Sequence, residues 1–425
     1  MKMEDLDINI AIVGLGYVGL PLAVEFSKKY NVTGYDINNR RVEELLKSYD
    51  KTNSVSQNVL KKLIINKKLE ITSDIRSIKS KNIFIVTVPT PVDINKEPDL
   101  SILFKATSDI GKILKKDDIV IYESTVYPGC TEEDCVPILE KESGLVYNKD
   151  FYCGYSPERI NPGDKKNPLN KIVKVTSGSN NKIGRYVDSL YSSIIDAGTH
   201  LASSIKVAEA SKAIENAQRD LNISFMNELS LIFDRMGIDT NEVIDAASTK
   251  WNFLKYSPGL VGGHCISVDP YYLTYKSKKL GYTPKVILSG REVNDQMAEF
   301  VAFKVISLMK GNDIKIKGSN SLILGVTFKE NMSDIRNSKV VDIYNILIEH
   351  GLIVDLYDPY ANKDEVLSEF NIETIKDFKK YDSIIIAVAH DEFKKLKFKS
   401  LKKSDRTIIY DIKGILKKSQ INGRL

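Results

Sequence analysis

The sequence predicts an α/β protein with two Rossmann-like, doubly wound domains joined by a central helical region. Three observations support this prediction: β-branched strands alternate with helices in the first part, helical segments occupy 203–247, and the strand pattern restarts near Gly318. Strands that alternate with helical segments are typical of parallel sheets. The expected domain boundaries are 1–202, 203–312 and 313–425, and the middle domain is a helical region that contains a cysteine loop.

The first strand and the loop after it predict a dinucleotide site. Residues 8–13 form a short apolar run that leads into the pattern Gly-Leu-Gly-Tyr-Val-Gly at 14–19 and then into a helical segment at 20–30. Such glycines let the backbone approach a pyrophosphate at a helix N-terminus, where free N–H groups are available. The residues of this loop predicted to contact the cofactor are Gly14, Gly16, Tyr17, Val18 and Gly19.

The second strand indicates which dinucleotide is used. Residues 31–35 end at Asp36, about 20 residues after the glycines. A carboxylate there accepts hydrogen bonds from the ribose hydroxyls of NAD and repels the 2′-phosphate of NADP, so NAD is the expected cofactor. Arg40 and Arg41 follow, and they would either soften that preference or lie in solvent; Arg41 is included among the candidate cofactor contacts.

Polar loops follow the later strands of the first domain. Strands are expected at 82–88, 118–122, 151–155 and 171–176. The loops after the first three begin at Pro89, Glu123 and Ser156. Ligands of α/β sheets bind at the carboxyl ends of strands, so these loops are expected to outline a crevice, although each could equally be a simple turn.

Two features of the central region carry candidate chemistry. Lys212 and Asn216 lie four residues apart on a predicted helix, so both project from one face, which is either functional or solvated. Cys265 follows a glycine pair, and Asp269 lies four residues further on. A thiolate can capture an aldehyde as a thiohemiacetal, whose oxidation gives a thioester that water opens. The alternative is a buried structural cysteine.

The third segment repeats the strand pattern without a second Gly-x-Gly-x-x-Gly. Strands are expected at 321–326, 353–357, 383–388 and 407–410. Lys329 and Arg336 follow the first of them. Basic residues at a strand end suit a phosphorylated ligand that is not a dinucleotide.

Composition narrows the class of protein. The chain has 425 residues, with 61 basic and 56 acidic side chains interspersed, which does not favour nucleic acid or a membrane surface. Acidic residues near the start argue against a signal peptide, and no apolar run is long enough to span a bilayer. Four cysteines in a chain of this size indicate a reducing compartment, and their spacing does not predict a metal site. A cytoplasmic protein is expected.

Seven motifs together resemble the UDP-glucose/GDP-mannose dehydrogenase family along nearly the whole chain. They are GLGYVGLPLA at Gly14, VPTP at Val88, ESTVYPG at Glu123, YSPERINPG at Tyr155, EASKAIEN at Glu209, PGLVGGHCISVDPYYL at Pro258 and GVTFKENMSDIRNS at Gly325. The residues of these motifs are most similar to those of the branch that acts on UDP-N-acetylglucosamine or UDP-N-acetylgalactosamine in the synthesis of bacterial surface polysaccharides. The resemblance implies a four-electron oxidation at C6 of the sugar; UDP-glucose and UDP-N-acetylmannosamine are the alternative substrates.

The resemblance also implies residue roles. Cys265 is the nucleophile, Lys212, Asn216 and Asp269 surround the reacting carbon, and Thr125 and Glu158 lie near the attacking water. An ammonium at Lys212 would stabilise an oxyanion and lower the pKa of the Cys265 thiol. Many UDP-glucose enzymes carry a second glutamate where this chain has Pro162, which leaves the general base open.

Further contacts are carried over in the same way. Those expected at the cofactor are Pro89, Thr90, Ser124, Thr125 and Lys329. Those expected at the substrate are Glu158, Arg159, Lys212, Asn216, Phe253, Leu254, Tyr256, Gly259, Gly262, Gly263, Lys329 and Arg336. One of Lys250, Lys255 and Arg291 is expected to reach a neighbouring subunit's site, or each is surface charge. The family implies a homodimer through the central helices. A two-electron hydroxyacid dehydrogenase and a non-catalytic nucleotide-sugar sensor are the alternative functions.

Overall fold

The computed structural model describes residues 7–93, 95–159, 168–263 and 266–425. These residues divide into two compact units. The first contains the described residues up to Glu215 together with Tyr271–Tyr282, and the second contains Asn216–Pro270 and Thr283–Leu425.

In the described part of the first unit, eight strands form one sheet. They are β1 (Asn9–Val13), β2 (Asn31–Tyr35), β3 (Leu69–Thr72), β4 (Ile83–Val86), β5 (Ile119–Tyr122), β6 (Tyr152–Tyr155), β7 (Lys174–Gly178) and β8 (Thr199–Leu201). Their order is β3-β2-β1-β4-β5-β6-β7-β8. The first six are parallel, which is the dinucleotide-binding arrangement.

The sheet departs from the sequence prediction at its edges. β7 pairs antiparallel with β6, and it begins at Lys174 rather than at residue 171. A parallel return needs a crossover helix, and the described part of this connection holds only a 3₁₀ turn at Leu169–Lys171. Strands β3 and β8 were not predicted, because short edge strands have too few residues to show a periodic pattern.

Helices cover the first sheet. They are α1 (Gly19–Ser27), α2 (Asn39–Leu46), α3 (Gln57–Ile65), α4 (Ser101–Gly111), α5 (Val136–Ser143) and α6 (Asn181–Ser192). Apolar side chains at helical spacing on α1, among them Leu20, Ala23 and Phe26, are fully buried in the core with the β1 residues Ile10 and Ile12. This burial drives the helix onto the sheet.

Long helices follow, as the sequence predicts. They are α7 (Ile205–Met236), α8 (Thr240–Ala247), α9 (Asp269–Lys279) and α10 (Lys285–Gly311). α8 begins where the Asp239 side chain accepts a hydrogen bond from the Glu242 N–H. No helix among the described residues combines the length and the apolar character that crossing a membrane requires.

The second unit contains a parallel sheet of five strands among its described residues. These are β9 (Asn320–Leu324), β10 (Ile353–Tyr357), β11 (Ser383–Ile386), β12 (Ile408–Asp411) and β13 (Gly423–Arg424), in the order β10-β9-β11-β12-β13. The helices between them are α11 (Val340–Glu349), α12 (Lys363–Phe370) and α13 (Phe398–Leu401). Val301 and Val305 of α10 pack with Ile343 and Leu347 of α11 in the core. The predicted fold class, two doubly wound units and a central helical region, is confirmed.

Candidate active site

The loop after β1 has the shape that a dinucleotide needs. Gly14 adopts a φ of 96°, which favours glycine. A Cβ atom at Gly19, where α1 begins, would lie 1.9 Å from the Gly14 carbonyl oxygen. Tyr17 and Val18 lead into the helix. A Cβ at Gly16 would meet nothing within 4 Å, so space for a ligand lies beside this residue. The loop therefore fits a pyrophosphate at the N-terminus of α1.

The side chains of Asp36 and Arg41 form hydrogen bonds with the backbone of this loop. Asp36 Oδ2 accepts a hydrogen bond from the Leu15 N–H at 2.8 Å. Arg41 Nε donates to the Leu15 carbonyl at 2.9 Å, and its Nη2 pairs with Asp50 at 2.7 Å. Arg41 is buried, so the sequence expectation of a solvated charge is wrong, and its Nη1 has no hydrogen-bond partner in the described part of the chain. An orphaned guanidinium N–H beside the glycine loop fits an anionic cofactor.

The loops after β4 and β5 are tied together. Thr90 Oγ1 donates to the Thr125 carbonyl at 2.7 Å, and Ser124 Oγ donates to the Val88 carbonyl at 2.7 Å. The exposed Pro89 precedes Thr90. These contacts bring four predicted cofactor residues of two separate strand ends to one place.

Glu209 fixes the continuation of the β5 loop. Its carboxylate accepts hydrogen bonds from the backbone N–H groups of Gly129 at 2.6 Å and Thr131 at 2.9 Å. Burial raises the pKa of Glu209 to about 7, against the lowering effect of these two hydrogen bonds. The glutamate of the EASKAIEN motif therefore joins α7 to the loop that carries Thr125.

Glu158 and Arg159 lie beyond the end of β6. Glu158 is 7% exposed, and its Oε2 accepts a hydrogen bond from Lys174 Nζ at 2.7 Å. Arg159 forms an ion pair with Glu215. Lys212 lies one turn of α7 from Glu215 and is 7% exposed, so the interpretation of Lys212 as a solvated side chain is wrong.

Asn216 and Asp269 meet in the second unit. Asn216 Nδ2 donates to Asp269 Oδ2 at 2.6 Å, and the two residues are 5% and 1% exposed. The amide fixes the orientation of the carboxylate at the start of α9. These two predicted site residues, 53 positions apart in the sequence, are therefore brought into direct contact.

A polar pocket opens at the carboxyl ends of the second sheet. The residues that line it include Leu260, Gly262, Phe328, Lys329, Ser338 and Lys413. Burial lowers the pKa of Lys413, against the raising effect of Glu330. Lys329 and Gly262 were predicted from the sequence as ligand contacts, whereas Lys413, which follows β12, was not. Its position at a strand end, where α/β sheets bind ligands, is the signal that points to it. Arg336 forms a two-pronged ion pair with Asp334.

Gly262 and Gly263, which are predicted to contact the substrate, lie close to other protein atoms. A Cβ at Gly262 would lie 2.5 Å from the Asn337 carbonyl oxygen, and one at Gly263 would lie 2.8 Å from the Phe328 ring. Their lack of a side chain is therefore already required by packing against the loop after β9. Gly259 is clamped by Asn227, whose Oδ1 accepts from the Gly259 N–H at 2.8 Å and whose Nδ2 donates to the Gly259 carbonyl at 3.0 Å.

The segment before Gly259 is open to solvent. Trp251 is 96% exposed and Leu254 is 64% exposed, while Phe253 and Tyr256 are half-buried. Lys250 is exposed, and the exposed Lys255 pairs with Asp245 at 2.7 Å. These side chains are available to a ligand or to a second subunit.

Arg291 differs from the other two basic candidates. It is 3% exposed and pairs with Asp220 at 2.6 Å and Asp295 at 2.7 Å. The surface-charge interpretation of Arg291 is wrong, because the guanidinium is neutralised inside the second unit. Cys265 and Pro162 lie outside the described residues, and the three described cysteines, Cys130, Cys135 and Cys153, are free and buried. No group of three possible metal ligands lies together in the described ranges.

Three domain models of one family match consecutive parts of the chain. The NAD-binding domain of the UDP-glucose/GDP-mannose dehydrogenase family matches residues 8–195. The central domain of that family matches 206–296, and its UDP-binding domain matches 322–418.

Relatives match along the whole chain. A UDP-N-acetyl-D-glucosamine 6-dehydrogenase of Pseudomonas aeruginosa is 53% identical over 423 residues, covering 99% of this chain and 100% of the relative. Protein CapL of Staphylococcus aureus is 51% identical and covers 97% of both chains. A solved UDP-D-ManNAc dehydrogenase from Pyrococcus horikoshii has a TM-score of 0.89 at 30% identity, with 98% of each chain covered. The chain therefore belongs to the UDP-glucose/GDP-mannose dehydrogenase family and is an NAD-dependent UDP-sugar dehydrogenase.

Proposed function

We propose that the protein oxidises the C6 hydroxyl of a UDP-N-acetylhexosamine, UDP-GlcNAc or UDP-GalNAc, to the uronic acid. One observation carries this substrate class. Two proteins named UDP-N-acetyl-D-glucosamine 6-dehydrogenase are 53% and 50% identical to this chain over nearly their full lengths. A relative named UDP-N-acetyl-D-mannosamine dehydrogenase is 32% identical. The larger identity favours the gluco or galacto configuration.

The proposed first oxidation uses buried polar groups. The Lys212 ammonium stabilises the oxyanion that develops at C6, an effect that is strong away from bulk water. The hydrogen bond between Asn216 and Asp269 fixes the carboxylate that orients the reacting hydroxyl or water. When bound, NAD accepts a hydride at each of the two oxidations.

The proposed second half uses Cys265. Its thiolate adds to the aldehyde carbon, and oxidation of the resulting thiohemiacetal gives a thioester on the same sulfur. Water then opens the thioester; Thr125 and Glu158 would orient this water, and Glu158 is the candidate proton acceptor. Because the aldehyde stays attached to the protein, the full reaction reduces two NAD per sugar.

We propose the same division of labour that the sequence suggests: cofactor binding by 1–202, catalysis and assembly by 203–312, and UDP binding by 313–425. Lys329 and Lys413 would bind the diphosphate in the second unit, since both line its pocket. Activity in the cytoplasm, for synthesis of a bacterial surface polysaccharide, is part of this proposal; the free cysteines fit a reducing compartment.

We also propose a homodimer through the exposed face of α7. Phe225, Ile232 and Met236 are 54%, 44% and 61% exposed, and their offsets of seven and four residues place them on one face. An apolar stripe of this kind is typical of an interface. Light scattering should give a dimer for the wild type and a monomer for Phe225→Glu/Ile232→Glu. Leu367→Glu, at an exposed position of α12, is the matched control and should stay dimeric.

A substrate panel tests the proposed activity. UDP-GlcNAc, UDP-GalNAc, UDP-ManNAc and UDP-glucose are compared by kcat/KM, with NADH counted per sugar consumed. We expect two NADH per sugar and a preference of at least about tenfold for an N-acetylated gluco or galacto sugar, or about 1.4 kcal/mol. A preference for UDP-glucose would refute the substrate class alone. One NADH with a free aldehyde, or binding without turnover, would refute the four-electron reaction.

Cys265→Ser tests the covalent route. A serine ester is much less activated toward water than a thioester, so the variant should give at most one stoichiometric burst of NADH and then stall as an enzyme–sugar ester. Intact-mass measurement detects that adduct, and the melting temperature checks that the fold survives. Steady turnover near the wild-type rate would remove Cys265 from the mechanism.

A further inference from the structure

A buried cluster of three charges lies at the strand ends of the first unit. Glu123 follows β5, Glu158 lies beyond β6, and Lys174 is the first residue of β7. Lys174 Nζ donates to Glu123 Oε2 at 2.8 Å and to Glu158 Oε2 at 2.7 Å. The Lys174 side chain is 2% exposed, and the two glutamate side chains are 0% and 7% exposed. Neither Glu123 nor Lys174 has a role in the reaction described above.

Further hydrogen bonds hold both glutamates. Glu158 Oε1 accepts a hydrogen bond from the Arg159 N–H, and its Oε2 accepts one from Lys174 Nζ. The Tyr191 hydroxyl of α6 donates to the other oxygen of Glu123, and Lys174 Nζ lies 5.4 Å from the centre of the Tyr191 ring. One ammonium therefore binds two carboxylates, and Tyr191 donates to Glu123, the carboxylate that has no role in the proposed reaction.

The ammonium lies between the two carboxylates and stays charged there. Burial raises the pKa of Glu123 to about 7, with Lys174 lowering it and Glu158 raising it. Burial alone would lower the pKa of Lys174, but the two carboxylates raise it, so the lysine stays charged. From this position the ammonium stabilises the negative charge of Glu158 through its hydrogen bond of 2.7 Å to Oε2.

We propose that Lys174 is the positioning residue for Glu158: it keeps this carboxylate ionised and in one orientation for opening the thioester. This rests on the proposed function. In the step, Glu158 takes a proton from water and the hydroxide adds to the thioester carbonyl carbon. The C–S bond breaks, its electron pair leaves on the Cys265 sulfur, and the product acid releases its proton to solvent. Without Lys174, the Glu158 carboxylate would lose this charge stabilisation and the hydrogen bond that orients it, and with them part of its capacity as a base.

The test separates hydrolysis from the earlier steps. For Lys174→Gln we expect kcat to fall by at least about tenfold while KM changes by less than about threefold. The first burst of NADH should persist, and intact-mass measurement should show a sugar adduct on Cys265 during turnover. Lys174→Arg should restore most of the turnover and remove the adduct, because the charge is retained. Tyr191→Phe, the matched control in the same cluster, should accumulate no adduct.

Glu158→Gln distinguishes this proposal from the proposed function. If Glu158→Gln accumulates the adduct and Lys174→Gln does not, or if Lys174→Gln turns over within about threefold of wild type, Lys174 has no positioning role. If no variant forms an adduct on Cys265, the covalent mechanism itself fails. Should Lys174→Gln not fold, Glu123→Gln/Lys174→Gln leaves one buried carboxylate in place of two and is compared with Glu123→Gln by the same adduct measurement.

Discussion

The loops that follow the first strand of each sheet share one backbone arrangement but lead to different sites. Gly14 and Gly325 both have a φ of 96°. The Gly14 N–H donates to the Tyr35 carbonyl at 2.8 Å, and the Gly325 N–H donates to the Tyr357 carbonyl at 2.8 Å. Each glycine thus turns the chain at the end of a strand and ties it to the end of the neighbouring strand.

The aspartate after the neighbouring strand is also shared, but its surroundings differ. Asp36 Oδ2 accepts from the Leu15 N–H at 2.8 Å, and Asp358 Oδ2 accepts from the Val326 N–H at 2.7 Å. Asp36 is partly exposed, whereas Asp358 is 6% exposed. The first carboxylate remains accessible to a ribose, and the second is enclosed by protein.

His390 explains the enclosure of Asp358. The Asn331 N–H donates to His390 Nδ1 at 2.8 Å, so Nδ1 carries no proton and Nε2 carries it. Nε2 lies 3.1 Å from Asp358 Oδ2 and donates to it. The histidine thereby links the aspartate to the loop that carries Lys329.

The two sites differ in the residues that follow Gly14 and Gly325, and these residues determine which ligand each site binds. After Gly14 a helix begins within five residues, at Gly19, and offers its N–H groups. After Gly325 the next α-helix begins only at Val340, and the lysines at 329 and 413 line the pocket. The same turn therefore serves backbone recognition of a dinucleotide in one unit and side-chain recognition of a phosphorylated ligand in the other.

Asp358→Asn should have the largest effect, because it removes a buried charge that several N–H groups share. We expect a loss of about 3 kcal/mol in the free energy of unfolding of the second unit. Chemical denaturation measures it, with Glu369→Gln at an exposed position as the control. If the free energy of unfolding does not change, the buried charge of Asp358 does not stabilise the second unit, and its likeness to Asp36 is one of position alone.

Gly19→Ala should weaken NAD binding by about 100-fold, or about 2.7 kcal/mol, because its Cβ collides with the Gly14 carbonyl. UDP binding should stay within about twofold. Calorimetric titration with each ligand measures both. Gly16→Ala is the matched variant: its Cβ meets no protein atom within 4 Å, so any loss there reports contact with the ligand. Equal NAD affinity in Gly19→Ala and wild type would contradict the proposed use of this loop.

Asp36→Asn should have a smaller effect on NAD, since the amide keeps one hydrogen-bond acceptor. We expect KM for NAD to rise by about tenfold, or about 1.4 kcal/mol, and the discrimination against NADP to fall. Initial rates with both cofactors measure this. A variant that still rejects NADP as strongly as wild type would show that another group reads the ribose.

The pH dependence of stability tests the same difference between Asp36 and Asp358. Burial would raise the pKa of Asp358, but the hydrogen bond from His390 and those from the backbone N–H groups lower it below its usual 3.8. A lowered pKa in the folded state gives stability that is present above about 3.8 and is lost as the pH falls through the folded value. The difference in melting temperature between wild type and Asp358→Asn should therefore shrink on acidification. A constant difference from pH 7 to pH 3 would contradict this origin.

Most of the features predicted from the sequence depend on patterns within a short, continuous stretch of residues. The glycine loop and Asp36 belong to one continuous stretch with a known period, so both their positions and their proximity followed from the pattern. The contact of Asn216 with Asp269 joins two separate elements, and it could be anticipated only from the family resemblance. Lys174 was missed because its partners lie 51 and 16 residues away, and only the folded sheet brings the three strand ends together.

The exposed Trp251 gives this protein an unusual spectroscopic property. It is the single tryptophan of the sequence, and 96% of it is already in contact with solvent in the fold. Selective excitation of the indole should therefore give red-shifted emission in both the native and the denatured protein, so tryptophan fluorescence is a poor reporter of unfolding here. The same isolation makes the emission a specific probe of the 250–257 segment: a blue shift on adding UDP-sugar would report that this segment becomes covered.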